Sequence, residues 1–251
     1  MAHVANLWRH PIKSHGREAL ETVTLDAGKT MPWDRHWAVT HEACKFDADD
    51  PKWVMCRNFM IGVATPGLAG IWATFDPVMQ TVTLSHADLG QLTFCPDDPA
   101  EVAGFINWVL PLCPPDKRQP QSIVKVPDRG ITDSAYPSVS IMTFASHNAV
   151  AAQLEADLEI ERWRGNIWLD GPAAWDEFNW TGHDIQIGDA ILNVKEPIRR
   201  CMATAANPHT GKRDLDTLGA LRDGWDHQHF GVYAEVVKGG QINVGDSYKV
   251  L

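Results

Sequence analysis

The chain has 251 residues, 44% hydrophobic and 22% charged, with a formal net charge of -10 at pH 7. That length buries a sizeable core in one large domain or two smaller ones, and the acidic balance excludes the broad basic surface of a nucleic-acid binder while leaving room for local anion sites. No apolar run approaches the roughly 20 residues of a membrane span, and the opening MAHVANLWRHPIKSHGR sets charges and a proline where a signal peptide has its apolar centre, so a cytoplasmic protein with neither nucleic-acid nor membrane partner is expected.

The first half is strand-rich: VANLW, ALETVTLD, RHWAVTH, KWVMC, AGIWATF, QTVTLSH and QLTFC are short β-branched or aromatic runs separated by turn residues. One helix interrupts the pattern. Asp98, Pro99 and Glu101 supply an N-cap, a first-turn proline and a capping-box acid, and Val102, Phe105, Ile106 and Val109 recur at helical spacing, so the helix should end near Pro111. Proline-dense PLCPPDKRQPQ, Pro111 to Gln121, reads as a short linker between an N-terminal unit, 1–115, and a second unit, 122–251.

In the second unit SIVKV, SVSIM and NIWLD read as strands, with Val150, Leu154 and Leu158 marking a helix face between the last two. IQIGDAILNV and INVGDSYKVL both set Gly-Asp between β-rich runs, which predicts two hairpin-like turns. Leu215, Leu218 and Leu221 mark a short helix. Many short strands and few helices give a mixed, β-rich α+β chain, a barrel or sandwich rather than a doubly wound sheet.

Five cysteines, Cys44, Cys56, Cys95, Cys113 and Cys201, are widely spaced, odd in number and form no C-x-x-C pair, against a disulfide framework and against a zinc or iron–sulfur site. In EPIRRCMATAANPHTG, Cys201 directly follows Arg199 and Arg200, with Lys195 nearby. Nearby cations favour the thiolate, the form that attacks electrophiles and binds metals; the plain alternative is a buried small hydrophobe. None of the eleven histidines stands in a signature that would pair it with Cys201 as a base. His227 and His229 would share one face of a strand, yet a third ligand and a zincin acid are missing.

Anion-binding groups are the other candidates. HPIKSHGR offers Lys13, Ser14, His15, Gly16 and Arg17 after a strand, WDRHWAV places Arg35 between tryptophans, and RWRGNIWLDG brings Arg164 and Asn166 to a strand entrance. Each also reads as a solvated turn or an ordinary ion pair, Arg35 with Asp34 for instance. No G-x-G-x-x-G or Walker loop supports a nucleotide cofactor.

Taken in order, these fragments resemble the MOSC family, named for the C-terminal domain of molybdenum cofactor sulfurase, and within it the two-part members with an N-terminal barrel domain, the group that includes the mitochondrial amidoxime-reducing component. LWRHPIKS looks like the family's L-x-x-Y-P-V-K-S, DRHW like D-R-x-W, and RWRGNIWLDG like R-F/W-R-P-N-I. RRCMATAANPHTG looks like R-C-x-x-T-x-x-D-P-x-T-G, and FGVYAEVVKGGQINVGDSYKV like the closing F-G-x-Y and G-x-I-x-V-G-D. The resemblance spans essentially the whole chain and implies a β-barrel-like MOSC domain behind a smaller, strand-rich N-terminal domain.

It also implies a molybdenum cofactor, Mo-molybdopterin, with Cys201 as the protein ligand to the metal. Lys13, Ser14 and Arg35 fall where the pterin phosphate is held, Arg164 and Asn166 on positions that face the cofactor, and Thr204 and Asn207 join Cys201 as the implied catalytic group. A soft thiolate suits a soft-ligand metal, and cations suit a phosphate. The implied activity is reduction of small N-hydroxylated compounds, with electrons from a separate reductase because the chain shows no flavin, haem or iron–sulfur motif. Pyridoxal phosphate binding comes with the family description only. Two other functions fit the same thiol: a cysteine persulfide carrier without molybdenum, and a cofactor-binding protein without turnover. Three positions depart from the family's pattern: Asn207 replaces an aspartate, Gly165 a proline and His10 a tyrosine.

Overall fold

The computed structural model describes residues 2–251. The chain opens with β1 (His3–Arg9), β2 (Glu18–Leu20), β3 (Thr22–Leu25) and β4 (Trp37–His41), followed by an antiparallel meander of β5 (Trp72–Asp76), β6 (Thr81–His86) and β7 (Gly90–Phe94). After α1 (Pro99–Val109), β8 (Pro120–Lys125) returns to pair antiparallel with β4. The remainder runs β9 (Val139–Thr143), α2 (Phe144–Leu154), β10 (Ile167–Asp170), α3 (Asp176–Asn179), β11 (Asp184–Ile187), β12 (Ala190–Arg199), α4 (Thr217–Trp225), β13 (His229–Lys238), β14 (Gly240–Asn243) and β15 (Tyr248–Val250).

Eight strands form the main sheet in the order β15-β11-β12-β13-β9-β10-β1-β2, with β9 and β10 its one parallel pair among the described residues. A parallel pair needs a crossover, and α2 supplies it. The sheet curls back on itself: Val4 N–H donates to Asp246 O and Gly245 N–H to Val4 O, both at 2.8 Å, without the continuous ladder of a closed barrel. β1 and β2 belong to this sheet, and β3 pairs with β14, so the first 25 residues are built into the second half of the chain.

Alternation along the strands sorts side chains into two cores. Val139, Ile141, Ile167, Leu169, Val232 and Ala234 face the inside of the curled sheet with Val4 and Leu7. Met142, Trp168 and Phe230 face outward, where Val150 of α2 and Leu218 and Leu221 of α4 cover them. A separate core gathers around Trp37, Phe75, Val82, Leu84, Phe94 and Phe105, with Ile123 of β8 packed against it.

α1 starts as its sequence predicts, with Asp98 accepting from Ala100 N–H at 2.9 Å and Pro99 in the first turn, and Val102, Phe105 and Val109 are buried. Glu101 differs from a standard capping box: it reaches past the cap to accept from Cys95 N–H at 2.6 Å. Beyond Val109 the chain tightens into a 3-10 turn, Leu110–Leu112, and the proline-dense stretch ends already inside β8.

Two strand expectations are corrected. KWVMC has β composition but no ladder pairing among the described residues; it runs as irregular chain into a short turn, Cys56–Asn58, pinned where Trp53 Nε1 donates to Thr132 O at 2.9 Å. IQIGDAILNV is the expected hairpin of β11 and β12, but INVGDSYKVL is not one. Gly245, at a φ of 92°, turns the chain between two strands with different partners: Ile242 opposite Val23, Tyr248 opposite Ile187. Composition marks the turn; the partner of each arm is set by the distant strand that offers a free edge.

Candidate active site

β12 ends at Arg199, and Cys201 opens a 3-10 turn, Met202–Ala205. Thr204 fixes that turn: its N–H and its Oγ1 both donate to Cys201 O, at 3.2 and 3.0 Å, and Oγ1 also meets Thr217 Oγ1 at 2.6 Å. Cys201 is thereby exposed at the sheet's end, so the reading of this thiol as buried packing fails.

A cavity of about 270 Å³ opens in front of it. Lys13, Ser14, Arg35, Arg164, Cys201 and Thr204 line this one space, although they come from four separate stretches of chain. Lys13 follows β1 and donates through Nζ to Ile131 O at 2.9 Å and to Asp133 Oδ1 at 2.5 Å. Arg35 pairs with buried Asp34 and donates through Nη2 to Arg164 O at 2.8 Å. Arg164 reaches Gly16 O at 3.1 Å. Ser14, Arg35 and Arg164 hold φ of 64°, 50° and 50°, three of the nine non-glycine left-handed residues described. Such residues cost about 1 kcal/mol or more each and collect where surrounding structure imposes a functional geometry.

Asn166 and Asn207 lie outside the cavity wall. Asn166 is buried in the sheet, where Oδ1 accepts from Ser140 N–H and Oγ at 3.2 and 2.8 Å and Nδ2 donates to Trp8 O at 3.2 Å, so it ties β9, β10 and β1 together. Asn207 Oδ1 accepts from His209 and Thr210 N–H, and Nδ2 donates to Glu159 Oε1 at 3.1 Å and Asp214 Oδ2 at 2.8 Å. An aspartate there would set a third carboxylate beside those two. The other two departures also have physical reasons. A Cβ on Gly165 would come within 2.3 Å of Met142 Cγ, so the position is kept small by that side chain. His10 N–H donates to Asp34 Oδ1 at 2.8 Å, which helps to orient the carboxylate that Arg35 grips.

The structure adds residues that the motifs did not single out: Cys56, Asp133, Met142, Arg162 and Tyr233 also line the cavity, as does Arg200. Arg200 could be read from the doublet before Cys201; Asp133 and Cys56 carry no local signal. Arg200 spends its nitrogens on backbone carbonyls, with Nη1 donating to Trp163 O at 2.8 Å and Nε to Phe230 O at 2.9 Å, so its charge is fixed in place rather than neutralised. His227 and His229 pack against Phe178, and no cluster of three metal-ligating side chains occurs among the described residues.

Positive charge is in surplus. Lys13, Arg35, Arg164 and Arg200 line the wall with Asp133 as its one carboxylate. Among the described residues, neither Arg164 nor Arg200 has a carboxylate within ion-pairing distance. Burial, then Arg35 and Arg17, push Arg164 down to about 9, and burial pushes Arg200 down to about 10. Desolvation in the cavity wall works against the charge of Asp133, whose side chain is 56% exposed, but Lys13, Arg35 and Arg200 outweigh it and hold this group below the usual carboxylate range. Crowded, desolvated guanidiniums gain from an anion. In a chain of net charge -10 this wall is a local anion site beside an open thiol. A larger cavity of about 620 Å³, around Trp53, Arg57 and Arg118, contains none of the predicted site residues.

Residues 1–98 match the MOSC N-terminal beta barrel domain and residues 128–249 the MOSC domain. The chain is 33% identical over 127 residues to mitochondrial amidoxime reducing component 2 of Macaca fascicularis and 32% identical over 127 residues to that of Homo sapiens, matches that cover 45% of this chain and 37% of either relative. It is 30% identical over 90 residues to a molybdenum cofactor sulfurase of Drosophila mojavensis, covering 36% of this chain and 11% of that one. The chain thus spans little more than a third of the length of the first two. A crystal structure of the YuaD protein from Bacillus subtilis aligns over 100% of this chain and 96% of its own, at 13% identity and a TM-score of 0.47. No helix among the described residues is long and apolar enough to cross a membrane. With both parts matched in order across nearly its whole length, the chain belongs to the MOSC domain family, in the form that carries the MOSC N-terminal beta barrel domain ahead of the MOSC domain.

Proposed function

We propose that this chain is a molybdenum cofactor-dependent reductase of small N-hydroxylated compounds, in which units 1–115 and 122–251 together enclose the cofactor. The observation that carries the reading is the meeting of an exposed Cys201 with Lys13, Ser14, Arg35 and Arg164 in one cavity. The donor set fits the group: a thiolate for a soft metal, and under-neutralised cations for a phosphate-bearing pterin. The cofactor, when bound, supplies the two-electron chemistry at the metal.

The protein's share is placement. Cys201 holds the metal, and Thr204 holds the turn that presents Cys201. Lys13, Ser14 and Arg35 grip the phosphate, Arg35 braced by Asp34 and Arg164 O, and the Arg164 side chain faces the cofactor. Asp133, bound to Lys13, keeps that lysine aimed into the cavity. Reduction of an N–OH group to N–H consumes two electrons and two protons and releases water. A separate reductase delivers those electrons, because no flavin, haem or iron–sulfur motif is present in this chain.

The test is metal and pterin content of the protein from a host that makes the cofactor, beside Cys201→Ala. Near one molybdenum per chain, lost in the variant with folding intact, supports the reading and calls for N-hydroxylated substrates with an added electron donor. No metal and no pterin in either protein overturns it in favour of the persulfide carrier, and bound sulfane sulfur on Cys201 is then measured.

A further inference from the structure

Cys201 does not face the cavity alone. Cys56, half-exposed at the first position of the Cys56–Asn58 turn, lines the same wall from the N-terminal unit. The segment after Cys56 packs on the turn that carries Cys201, since a Cβ on Gly62 would sit 3.6 Å from Ala203 Cβ, and Arg213 Nη2 ties Val63 O at 2.7 Å. Disulfide geometry needs Cα atoms at roughly 4.4–6.8 Å, and Cys56 stands outside any strand ladder, just past the tie from Trp53 Nε1 to Thr132 O.

We propose that Cys56 is a resolving thiol for Cys201, so that a hydroperoxide converts the cofactor-free site into a Cys56–Cys201 disulfide. Cys201, the more exposed sulfur, attacks the peroxide: an S–O bond forms, the O–O bond breaks, and hydroxide leaves. Cys56 then attacks the sulfenic sulfur, forming S–S as the S–O bond breaks and water departs. The two thiols lose two electrons and the peroxide gains them. The disulfide occupies the one sulfur that would bind metal and shields it from further oxidation, and a thiol reductant restores it. The other three cysteines are placed elsewhere: Cys113 is buried, Cys95 lies ahead of α1 with its N–H on Glu101, and Cys44 packs on the Phe59 cluster, with its sulfur accepting from Phe46 N–H at 3.3 Å. The inference does not depend on the cofactor reading, because the cofactor-free chain suffices.

The test treats protein from a host unable to make the pterin with hydrogen peroxide, alkylates it in denaturant so that buried Cys113 also reacts, and maps peptides without reduction. Loss of two of the five alkylatable thiols, with a linked Cys56–Cys201 peptide that dithiothreitol separates, is the expected result. Cys56→Ser should lose the linkage and carry Cys201 on to sulfinic acid, while Cys201→Ser should leave Cys56 reduced. Cys201 driven to sulfinic acid in the wild type with Cys56 still alkylated, a bridge to a different cysteine, or five thiols retained would each overturn the proposal.

Discussion

Arg35 Nη2 donates to the backbone carbonyl of Arg164 at 2.8 Å, joining segments 129 residues apart across the wall of the cavity. The same guanidinium neutralises Asp34, which is 1% exposed. Arg35→Ala leaves that carboxylate buried without its partner, and losses of about 3–5 kcal/mol follow from breaking such pairs. Arg35→Lys keeps the charge but not the fork and should fall between. Urea unfolding checks this; a loss under about 1 kcal/mol in Arg35→Ala would mean the tie is dispensable.

Acid should destabilise the fold before its carboxylates titrate. Burial pushes His15 and His147 down to about 4 and His10 well below its ordinary value. Histidine in the unfolded chain titrates near about pH 6.5. From there down to about pH 4 the unfolded chain holds more protons, so stability falls as pH falls, by up to about 1.4 kcal/mol per pH unit for each such histidine. Unfolding midpoints from pH 7 to 4.5 should show the slope. His15→Gln should make it shallower by about one proton, and an unchanged slope would show that His15 is already charged in the fold.

Gly165→Ala should destabilise the protein by about 1–3 kcal/mol, as overpacking does. The added Cβ meets Met142 Cγ rather than a flexible tip. Met142→Ala opens that space, so the double variant should be less destabilised than the sum of the two single ones. Strict additivity in the cycle would remove Met142 as the cause.

Asn207→Asp, which restores the family's residue, should cost about 1 kcal/mol at pH 7 from the unpaired contacts with Glu159 and Asp214. Lowering the pH, which protonates the crowded carboxylates, should reduce that penalty. Metal content should not change, because the side chain lies outside the cavity wall. Metal lost with stability intact would give Asn207 a direct role.

Lys13→Ala should lower the pterin retained through gel filtration while Cys201 still binds metal added alone. The variant removes the contact with Asp133 and, on the proposed reading, one phosphate donor rather than a metal ligand. Equal pterin retention in the two proteins would remove Lys13 from the phosphate site.

Much of this was legible in the residues. Composition marked SVSIM and NIWLD as strands, and Asp98 with Pro99 marked where α1 begins, because both signals act over a few residues. The order of the motifs identified the family, and the basic doublet singled out Cys201, which lines the cavity as an exposed thiol. Residue order could not tell that KWVMC finds no strand to pair with, that the arms of INVGDSYKVL go to different partners, or that Asn166 and Asn207 serve the fold rather than the cavity wall. Nor could it place Cys56 and Asp133 in the same wall as Cys201. Local propensity and motif spacing are set by neighbours along the chain. The charge and thiol content of the cavity is set by which distant segments the sheet edges and ion pairs draw together, and only the tertiary structure decides that.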